Sequence, residues 1–415
     1  MSSFYGDGVA SSSAQQNISL PHVGSSSSSS ASVEDAAKPA KTAEDSSGLG
    51  RRIFGFVAVI QIILFLGHWF VYETWVGFLG VSNADSVIAL TLSVLSVSFV
   101  VASLLAHRFY NSAVRVLYRV AATWLGFLNF FFLAAGLNWL IYLVCRVAGV
   151  PLNRGLLAAL VFGFAAFAGI VGIVNARSIR VKRITVKLPN LPASWRGRIA
   201  ALISDVHLGH VNGAGFMRRI VSKVRSLQPD VVFLTGDLYD GTKVDADRVA
   251  APLKDLSPTF GSYFVTGNHE EFSDPTKFLD GVSRAGVRVL SNERVSIDGL
   301  QVVGVHFSCT TRTGLFQSIL DSIQVDETRP SILLSHAPHA LEVAERAGIA
   351  LQLSGHTHRG QVFPFTWFTK RIFGAYTYGL QRFGRLNVYT TSGVGTWGPP
   401  LRLGTSPEIV LIEFA

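Results

Sequence analysis

The hydrophobic positions of this 415-residue chain follow two different patterns. Between residues 53 and 174 they form four almost continuous apolar runs, each of roughly the 17–25 residues that a helix needs to cross a bilayer. The runs carry no Asp, Glu, Lys or Arg in their interiors, and their bounds are Ile53–Tyr72, Ser86–Ala106, Val120–Cys145 and Leu156–Val174. Because a soluble helix is rarely apolar on every face over such a length, the pattern predicts four transmembrane helices.

Beyond residue 180 the apolar runs are short and rich in β-branched residues, and each ends in a polar cluster. These runs predict strands at Arg198–Ile203, Val231–Leu234, Tyr263–Val265, Ile332–Leu334 and Leu351–Leu353. Helical patterns at Phe216–Leu227 and His339–Ala347 lie between them. Alternating strands and helices predict an α/β domain, in which the carboxyl ends of the strands are the usual place for a site.

Composition divides the chain in the same way. Hydrophobic residues make up 49% and charged residues 15% of the chain, and the mean hydropathy is +0.37, which excludes a purely soluble protein. Residues 1–50 are Ser-rich and predict a disordered tail. We therefore expect a tail over 1–50, a four-helix membrane segment over 51–175 and a polar domain over 180–415.

The distribution of Lys and Arg predicts the orientation in the membrane. Arg51 and Arg52 precede the first run, and the first loop, about Glu73–Asp85, holds no Lys or Arg. Basic residues return in the second loop and after the fourth run, at Arg108, Arg115, Arg119, Arg177, Arg180, Lys182, Arg183 and Lys187. Both termini and the polar domain are thus expected in the cytoplasm, beneath the inner membrane if the source is bacterial. Arg146 and Arg154 in the third loop do not fit this alternation.

The polar clusters combine carboxylate, imidazole and amide side chains, without a thiolate. They comprise Asp205, His207, Asp237, Asp240, Asn268, His269, His336, His356 and His358. Such a set suits Mn, Fe or Zn better than a soft metal. In the D-x-H and H-x-H pairs, residues two apart on an extended backbone face the same way and can reach one ion. The number of ligands is too large for one ion and fits two, which together can bind a phosphoryl group.

In this order the clusters resemble the five sequence blocks of the calcineurin-like metallophosphoesterase superfamily. The blocks read Asp205-Val-His207, Gly236-Asp237-Leu-Tyr-Asp240, Gly267-Asn268-His269-Glu270, His336, and Gly355-His356-Thr-His358. The segments Gly355–Phe365 and Gly393–Glu408 further resemble its membrane-associated bacterial branch, which includes YkuE-like and YaeI-like phosphohydrolases. The resemblance implies an α/β/β/α sandwich of four layers over about 185–415.

The resemblance also implies a role for each matching residue. Asp205, His207 and His358 would bind one divalent ion, Asn268, His336 and His356 would bind a second, and Asp237 would bridge them. A hydroxide between the ions would attack phosphorus, and His269 would protonate the leaving oxygen as general acid. Asp240 would orient that imidazole, with Glu270 as a competing candidate. Manganese is the expected metal, with iron, zinc or magnesium as alternatives.

Two features bear on the substrate. Arg359 stands where this branch usually has Gly, so a cation next to the metals could pair with a phosphate or alter the choice of substrate. The stretch Phe363–Arg385 is aromatic and basic without an acid, which suits an anionic membrane surface, although an ordinary aromatic core segment has the same composition.

We therefore expect a membrane-anchored phosphohydrolase acting on a phosphodiester or pyrophosphate, with a lipid-linked substrate preferred. A tethered phosphodiesterase or protein phosphatase with a soluble substrate is the alternative, and a non-enzymatic membrane sensor or transporter is a further one. The basic surplus of the domain is small and scattered and does not indicate nucleic-acid binding.

Overall fold

The computed structural model describes residues 43–80 and 85–415. Residues 1–42 of the predicted disordered tail lie outside the described residues. Residues 43–50 of that tail instead belong to the first helix. The chain divides into two units, Met1–Phe54 and Gly55–Ala415, and the contacts described below all lie within the second.

Four long apolar helices confirm the predicted membrane segment. They are α1 (Ala43–Leu79), α2 (Asp85–Arg108), α3 (Ser112–Val147) and α4 (Arg154–Arg177). Their outward faces expose large apolar side chains such as Phe164, which is 71% exposed, as a bilayer-facing surface requires.

The helices are longer than the apolar runs that predicted them. Helix α1 continues through Glu73, which was expected in a loop and which accepts a hydrogen bond of 3.0 Å from Trp69 Nε1. Helix α3 begins at Ser112 instead of Val120, because the Asn111 side chain caps it by accepting from the Val114 N–H at 3.0 Å. Arg115 and Arg119 therefore lie on a helix and not in the second loop.

Two six-stranded sheets build the polar domain. The first has the order β1 (Arg180–Val186), β12 (Glu408–Phe414), β2 (Ile199–Ile203), β3 (Val231–Thr235), β4 (Ser262–Val265) and β5 (Arg288–Val289). The second has the order β10 (Gly379–Phe383), β11 (Leu386–Thr390), β9 (Leu351–Ser354), β8 (Ser331–Leu334), β7 (Leu300–Gly304) and β6 (Glu293–Ile297). Strands β2–β3–β4–β5 and β7–β8–β9–β11 are parallel, so their carboxyl ends meet at one edge of each sheet.

Helices cover the outer face of each sheet. On the first sheet they are α5 (Ala214–Ser226), α6 (Ala246–Ala250) and α8 (Thr276–Arg284), and on the second they are α10 (Thr313–Ile323) and α11 (Leu341–Arg346). Three further helices, α7 (Asn268–Glu271), α9 (Phe307–Thr310) and α12 (Phe365–Phe373), lie in the connections after β4, β7 and β9. Along β2, Ala201 and Ile203 pack against α5, whereas Ala200 and Leu202 pack against the second sheet. A third core joins the second sheet to α10 and α11. These three cores separate four layers, as the resemblance implied.

The polar domain packs directly on the membrane helices. Leu401 is fully buried between α3 and α4, where Gly126 and Gly172 leave room for it. Next to it, the Arg402 N–H donates to the Gly172 carbonyl at 2.9 Å. The Asn175 amide donates to the carbonyls of Arg402 and Thr405 at 3.0 and 2.7 Å. A side chain inserted into the helix pair and bonded on both sides holds the domain against the bundle.

A second set of bonds joins the domain to the connection between α2 and α3. The Lys243 N–H donates to the Ala106 carbonyl at 3.1 Å, and His210 Nε2 lies 3.0 Å from the Phe109 carbonyl. Arg119 donates to the carbonyls of His210 and Val211 at 3.0 and 2.8 Å. The loops after β2 and β3 are thus fixed to the membrane segment.

We expect Leu401→Ala to destabilise the docked arrangement. Removing a fully buried leucine that fills a gap between helices costs about 2–5 kcal/mol. The melting temperature of the detergent-solubilised protein should fall by several degrees. Leu380→Ala, which truncates a leucine that is 39% exposed on β10, is the matched control and should leave that temperature nearly unchanged. Equal melting temperatures for both variants would contradict the docking role of Leu401.

Candidate metal centre

The predicted ligands meet at the carboxyl ends of five strands. Asp205 and His207 follow β2, Asp237 follows β3, and Asn268 follows β4. In the second sheet, His336 follows β8, and His356 and His358 follow β9. Among the described residues, the donor atoms fall into three close groups: Asp205, His207 and His358; His207, Asp237 and His269; and Asp237, His336 and His356.

The first group has the spacing of donors around one ion. His207 Nε2 and His358 Nε2 lie 3.0 Å apart, and His358 Nε2 lies 3.4 Å from Asp205 Oδ1. Nitrogen donors about 2.1 Å from a common ion, at right angles to each other, are roughly 3 Å apart. The three side chains therefore surround a space of the size of a divalent cation.

The third group is arranged in the same way. Asp237 Oδ2 lies 3.1 Å from His336 Nε2, and His356 Nδ1 lies 3.2 Å from that nitrogen and 2.9 Å from Asn268 Oδ1. Asp237 Oδ2 is also 3.8 Å from His207 Nε2 in the first group. The Asp237 carboxylate thus stands between the two groups, where a bridging ligand would lie.

Five of these seven residues have a left-handed backbone. The φ angles are +54° at Asp205, +51° at His207, +50° at Asp237, +68° at His356 and +46° at His358. This conformation is unfavourable for a residue with a side chain, and such residues cluster at functional sites. The turns after the strands hold the donors in a convergent arrangement at a cost in backbone energy.

Burial and charge govern the ionisation of the donors. Burial raises the pKa of Asp205 to about 6, lowers the pKa of His356 to about 3, and holds the pKa values of His207 and His358 well below their usual range. These three imidazoles are neutral at pH 7 and have a lone pair for a cation. Burial also lowers the pKa of His336, but the neighbouring Asp237 carboxylate outweighs it and raises that pKa to about 10.

The donor set fits two divalent cations. Asp205 and Asp237 are fully or almost fully buried, and within the described chain their ion pairs are with histidines, not with Lys or Arg. His207 Nδ1 is buried without a partner among the described residues. Two buried carboxylates surrounded mainly by neutral imidazoles are costly unless a cation is bound. Carboxylate, imidazole and amide donors suit a borderline or hard ion.

His269 lies beside the donors, and its contacts differ in part from those expected. Its Nε2 is 4.0 Å from Asp237 Oδ2, whereas its Nδ1 is 2.9 Å from the backbone carbonyl of Asp240. The Asp240 carboxylate instead accepts from Thr242 and from the His210 N–H, so Asp240 contacts the imidazole through its main chain. The Glu270 carboxylate accepts from the N–H groups of Asp237, Tyr239 and Gly267 and holds two loops together.

Three residues that the sequence reasoning did not single out complete the site. Arg402 is fully buried; its guanidinium donates to the carbonyls of Ser392 and Gly395 and lies 3.3 Å from His358 Nδ1. Its position inside the segment Gly393–Glu408 was the only signal for it. Phe272 and Trp397, exposed by 62% and 59%, have their rings 4.5 and 5.9 Å from the His269 ring.

Arg359 has its side chain on the surface, turned toward an aromatic ring. Its guanidinium lies 4.4 Å from the Tyr378 ring centre, and its φ is +51°, in the left-handed region that favours the glycine usual at this position. The structure therefore records a cation–π contact for Arg359 rather than a contact with the metal donors.

The aromatic and basic stretch forms helix α12 and the strand after it. Helix α12 has no buried residue, and Phe365, Trp367, Phe368 and Ile372 are exposed by 50–75%, so this helix is not an aromatic core segment. At its end, Phe373 stacks on His339 with ring centres 5.7 Å apart and lies 6.0 Å from the ring of His356. The helix thus overhangs one side of the site.

Known proteins share these features of the sequence. Residues 200–360 match the family model described as calcineurin-like phosphoesterase. The chain is 34% identical over 263 residues to a transmembrane protein with metallophosphoesterase domain from Danio rerio, covering 60% of each protein. It is 27% identical over 280 residues to the uncharacterized metallophosphoesterase YkuE of Bacillus subtilis, covering 62% of this chain and 94% of that one.

Coverage of the relatives varies. The chain spans about six tenths of the length of several curated relatives that it matches. An uncharacterized metallophosphoesterase of Aquifex aeolicus is instead matched over 91% of its length, by 56% of this chain, with 33% identity over 240 residues. That match, together with the family model, shows that the chain belongs to the calcineurin-like metallophosphoesterase family.

Proposed function

We propose that the protein is a membrane-anchored phosphohydrolase that uses two divalent metal ions to cleave a phosphodiester or pyrophosphate bond in a lipid-linked substrate. The observation that carries this proposal is the position of Asp237 between two groups of donors, with His269 beside it. Manganese is the ion we expect, with iron, zinc or magnesium as alternatives.

Two bound cations would neutralise phosphoryl charge and lower the pKa of a water molecule. The chain itself would supply the proton for the leaving group. Because the Asp240 carbonyl accepts the Nδ1 proton of His269, Nε2 is the nitrogen left to gain and lose a proton. That nitrogen faces the Asp237 carboxylate, so His269 is placed to act as general acid at the metal centre.

The surroundings of His269 support an apolar substrate. Phe272 and Trp397 flank its ring and expose more than half of their surface. Exposed aromatic side chains next to a catalytic group can shield the reaction from water and contact a hydrocarbon chain.

Helix α12 supports a substrate that resides in the bilayer. The Phe363 carbonyl just before it accepts a hydrogen bond of 3.0 Å from the Asn129 amide, which lies within the third apolar run. The exposed aromatic residues of α12 therefore start beside the third apolar run, which forms most of α3. Lys370 and Arg371 in its last turn suit the headgroup region.

We also propose that the polar domain lies in the cytoplasm. Lys and Arg cluster at the ends of α2, α3 and α4 that contact the domain, and such residues are enriched on the cytoplasmic side of membrane proteins.

Hydrolysis should require both the donor groups and His269. With Mn²⁺, the purified protein should bind two ions per chain and cleave a soluble aryl phosphodiester. His269→Ala should retain the ions but lose about 10²- to 10⁴-fold in kcat, as expected for loss of a general acid. His336→Ala should lose bound metal, measured by elemental analysis.

His306→Ala is the matched control, because His306 is a half-buried histidine that contacts Thr266 and not the donors. Full activity of His269→Ala would exclude the acid role. A metal-loaded wild-type protein that cleaves no phosphoester would exclude the proposed function.

The exposed face of α12 should matter for membrane substrates alone. The double change Trp367→Ser and Phe368→Ser should lower kcat/KM by about tenfold for an isoprenyl diphosphate carried in phosphatidylcholine vesicles, because the interfacial contact is lost. Turnover of the soluble aryl phosphodiester should not change. Leu315→Ser, at a leucine that is 40% exposed on α10, is the control. Equal loss on both substrates would favour a soluble substrate and a structural role of α12.

Single cysteines can test the orientation. In a background with Cys145→Ser and Cys309→Ser, Ser322→Cys on α10 should react with an impermeant maleimide only in inverted membrane vesicles. Val147→Cys, at the far end of α3 where the side chain is 81% exposed, should react only in right-side-out vesicles. The reverse pattern would place the domain outside the cytoplasm.

A further inference from the structure

A large basic cavity lies where the membrane helices meet the polar domain. It encloses about 880 Å³ between the first turns of α3, the last turns of α4 and the start of α5. No Asp or Glu is among its lining residues, whereas six arginines are: Arg115, Arg119, Arg177, Arg218, Arg219 and Arg248. Such a concentration of one charge raises the local concentration of anions.

The arginines have little compensation within the protein. Across residues 43–80 and 85–415, none of the six forms an ion pair with a carboxylate. Arg119 is held in place by two backbone carbonyls, and Arg115 Nε is buried without a hydrogen-bond partner. Guanidinium groups that are fixed and partly desolvated in this way are prepared for an anion.

The start of α5 adds backbone donors to the same cavity. The helix has 13 residues, and its N-cap residue Gly213 has no side chain to accept from the first turn. Gly213, Ala214 and Gly215 all line the cavity. Arg115 Nη2 lies 3.2 Å from the position that a Cβ atom on Gly213 would occupy. Free N–H groups and the positive end of the helix dipole thus face the position of the guanidinium.

The cavity lies at the level that the apolar runs predict for the bilayer surface. Helix α3 has 36 residues and is about 54 Å long, whereas the hydrocarbon core of a bilayer is about 30 Å thick. Arg115 and Arg119 precede the apolar run that begins at Val120, so they stand just outside the hydrocarbon region. That boundary predicts that they lie at the depth of lipid headgroups.

An apolar groove continues from the cavity into the membrane region. It encloses about 370 Å³ along α2 and α3, and Arg119 and Thr123 line both spaces. Its other lining residues are Leu95, Val120, Trp124 and Phe127. A basic space followed by an apolar one matches the two parts of a phospholipid.

We propose that this cavity binds the phosphate-bearing headgroup of an anionic membrane lipid, with an acyl chain in the adjoining groove. The arginine fork is suited to bidentate binding of phosphate, and the groove distinguishes a lipid from a free phosphate ion. The site is separate from the metal centre, and the proposal does not require that the protein hydrolyse anything.

Bound lipid would also contact loops that carry the metal donors. Thr396 and Pro400 line the cavity and belong to the loop that Arg402 holds beside His358. Asn212 lines it as well, and its amide donates to the Val206 carbonyl between Asp205 and His207 at 3.0 Å. The lipid site is thus placed to stabilise the loops of the catalytic centre.

Binding to the full-length protein in detergent can test the proposal. Dihexanoyl phosphatidic acid, dihexanoyl phosphatidylcholine and inorganic phosphate are titrated separately, against wild type and against the double variant Arg115→Gln/Arg218→Gln. We expect phosphatidic acid to bind more tightly than the other two ligands. The double variant should bind it about 100-fold more weakly, or about tenfold for each charge-assisted bond lost. The affinity should also fall with salt.

The matched control is Arg196→Gln/Arg312→Gln, which removes two exposed arginines outside the cavity and should leave binding unchanged. Unchanged melting temperature and metal content of the cavity variant would show that its fold is intact. Equal binding of phosphatidic acid to wild type and to the cavity variant would overturn the site. Inorganic phosphate bound as tightly as phosphatidic acid would overturn the assignment to a lipid.

Discussion

The buried guanidinium of Arg402 connects the metal centre to the membrane. Its guanidinium donates hydrogen bonds to carbonyls of the loop after β11 and lies close to His358. Its backbone N–H donates to the Gly172 carbonyl of α4. The next residue toward the N-terminus, Leu401, fills the gap between α3 and α4. A charged group this deep is tolerated because backbone carbonyls surround it, and burial lowers its pKa only to about 10, so it stays charged.

The rest of the arrangement depends on this connection. Since the loop that supports the metal donors is also the loop that enters the helix bundle, the site keeps a fixed position relative to the membrane helices. In the proposed function, the exposed aromatic residues of α12 and the basic cavity beside α5 would then face the membrane surface from the same domain. A flexible tether would have left these surfaces free to turn away, whereas direct packing fixes their position relative to the membrane helices.

The metal donors also adopt an energetically unfavourable backbone conformation. Five donors in left-handed conformations cost of order 1–3 kcal/mol each. Two apolar cores on either side of the first sheet, built from alternating residues of β2 and β3, offset such strain by holding the strand ends in place. The donors can therefore converge on one another even though their charges and conformations are individually unfavourable.

The sequence alone determined the four membrane helices, five of the twelve strands that the structure describes, and the residues that gather at the ends of those five. Hydrophobic periodicity and short motifs are local properties, so they can be read without a structure. The tertiary structure decided what depends on distant segments. It showed that the carbonyl of Asp240 and not its carboxylate meets His269, that Asn111 starts α3 ahead of Val120, and that Arg402 is buried at the site. The six arginines of the cavity come from α3, α4, α5 and α6. Because these helices are far apart in the sequence, no local pattern predicts that the arginines lie together.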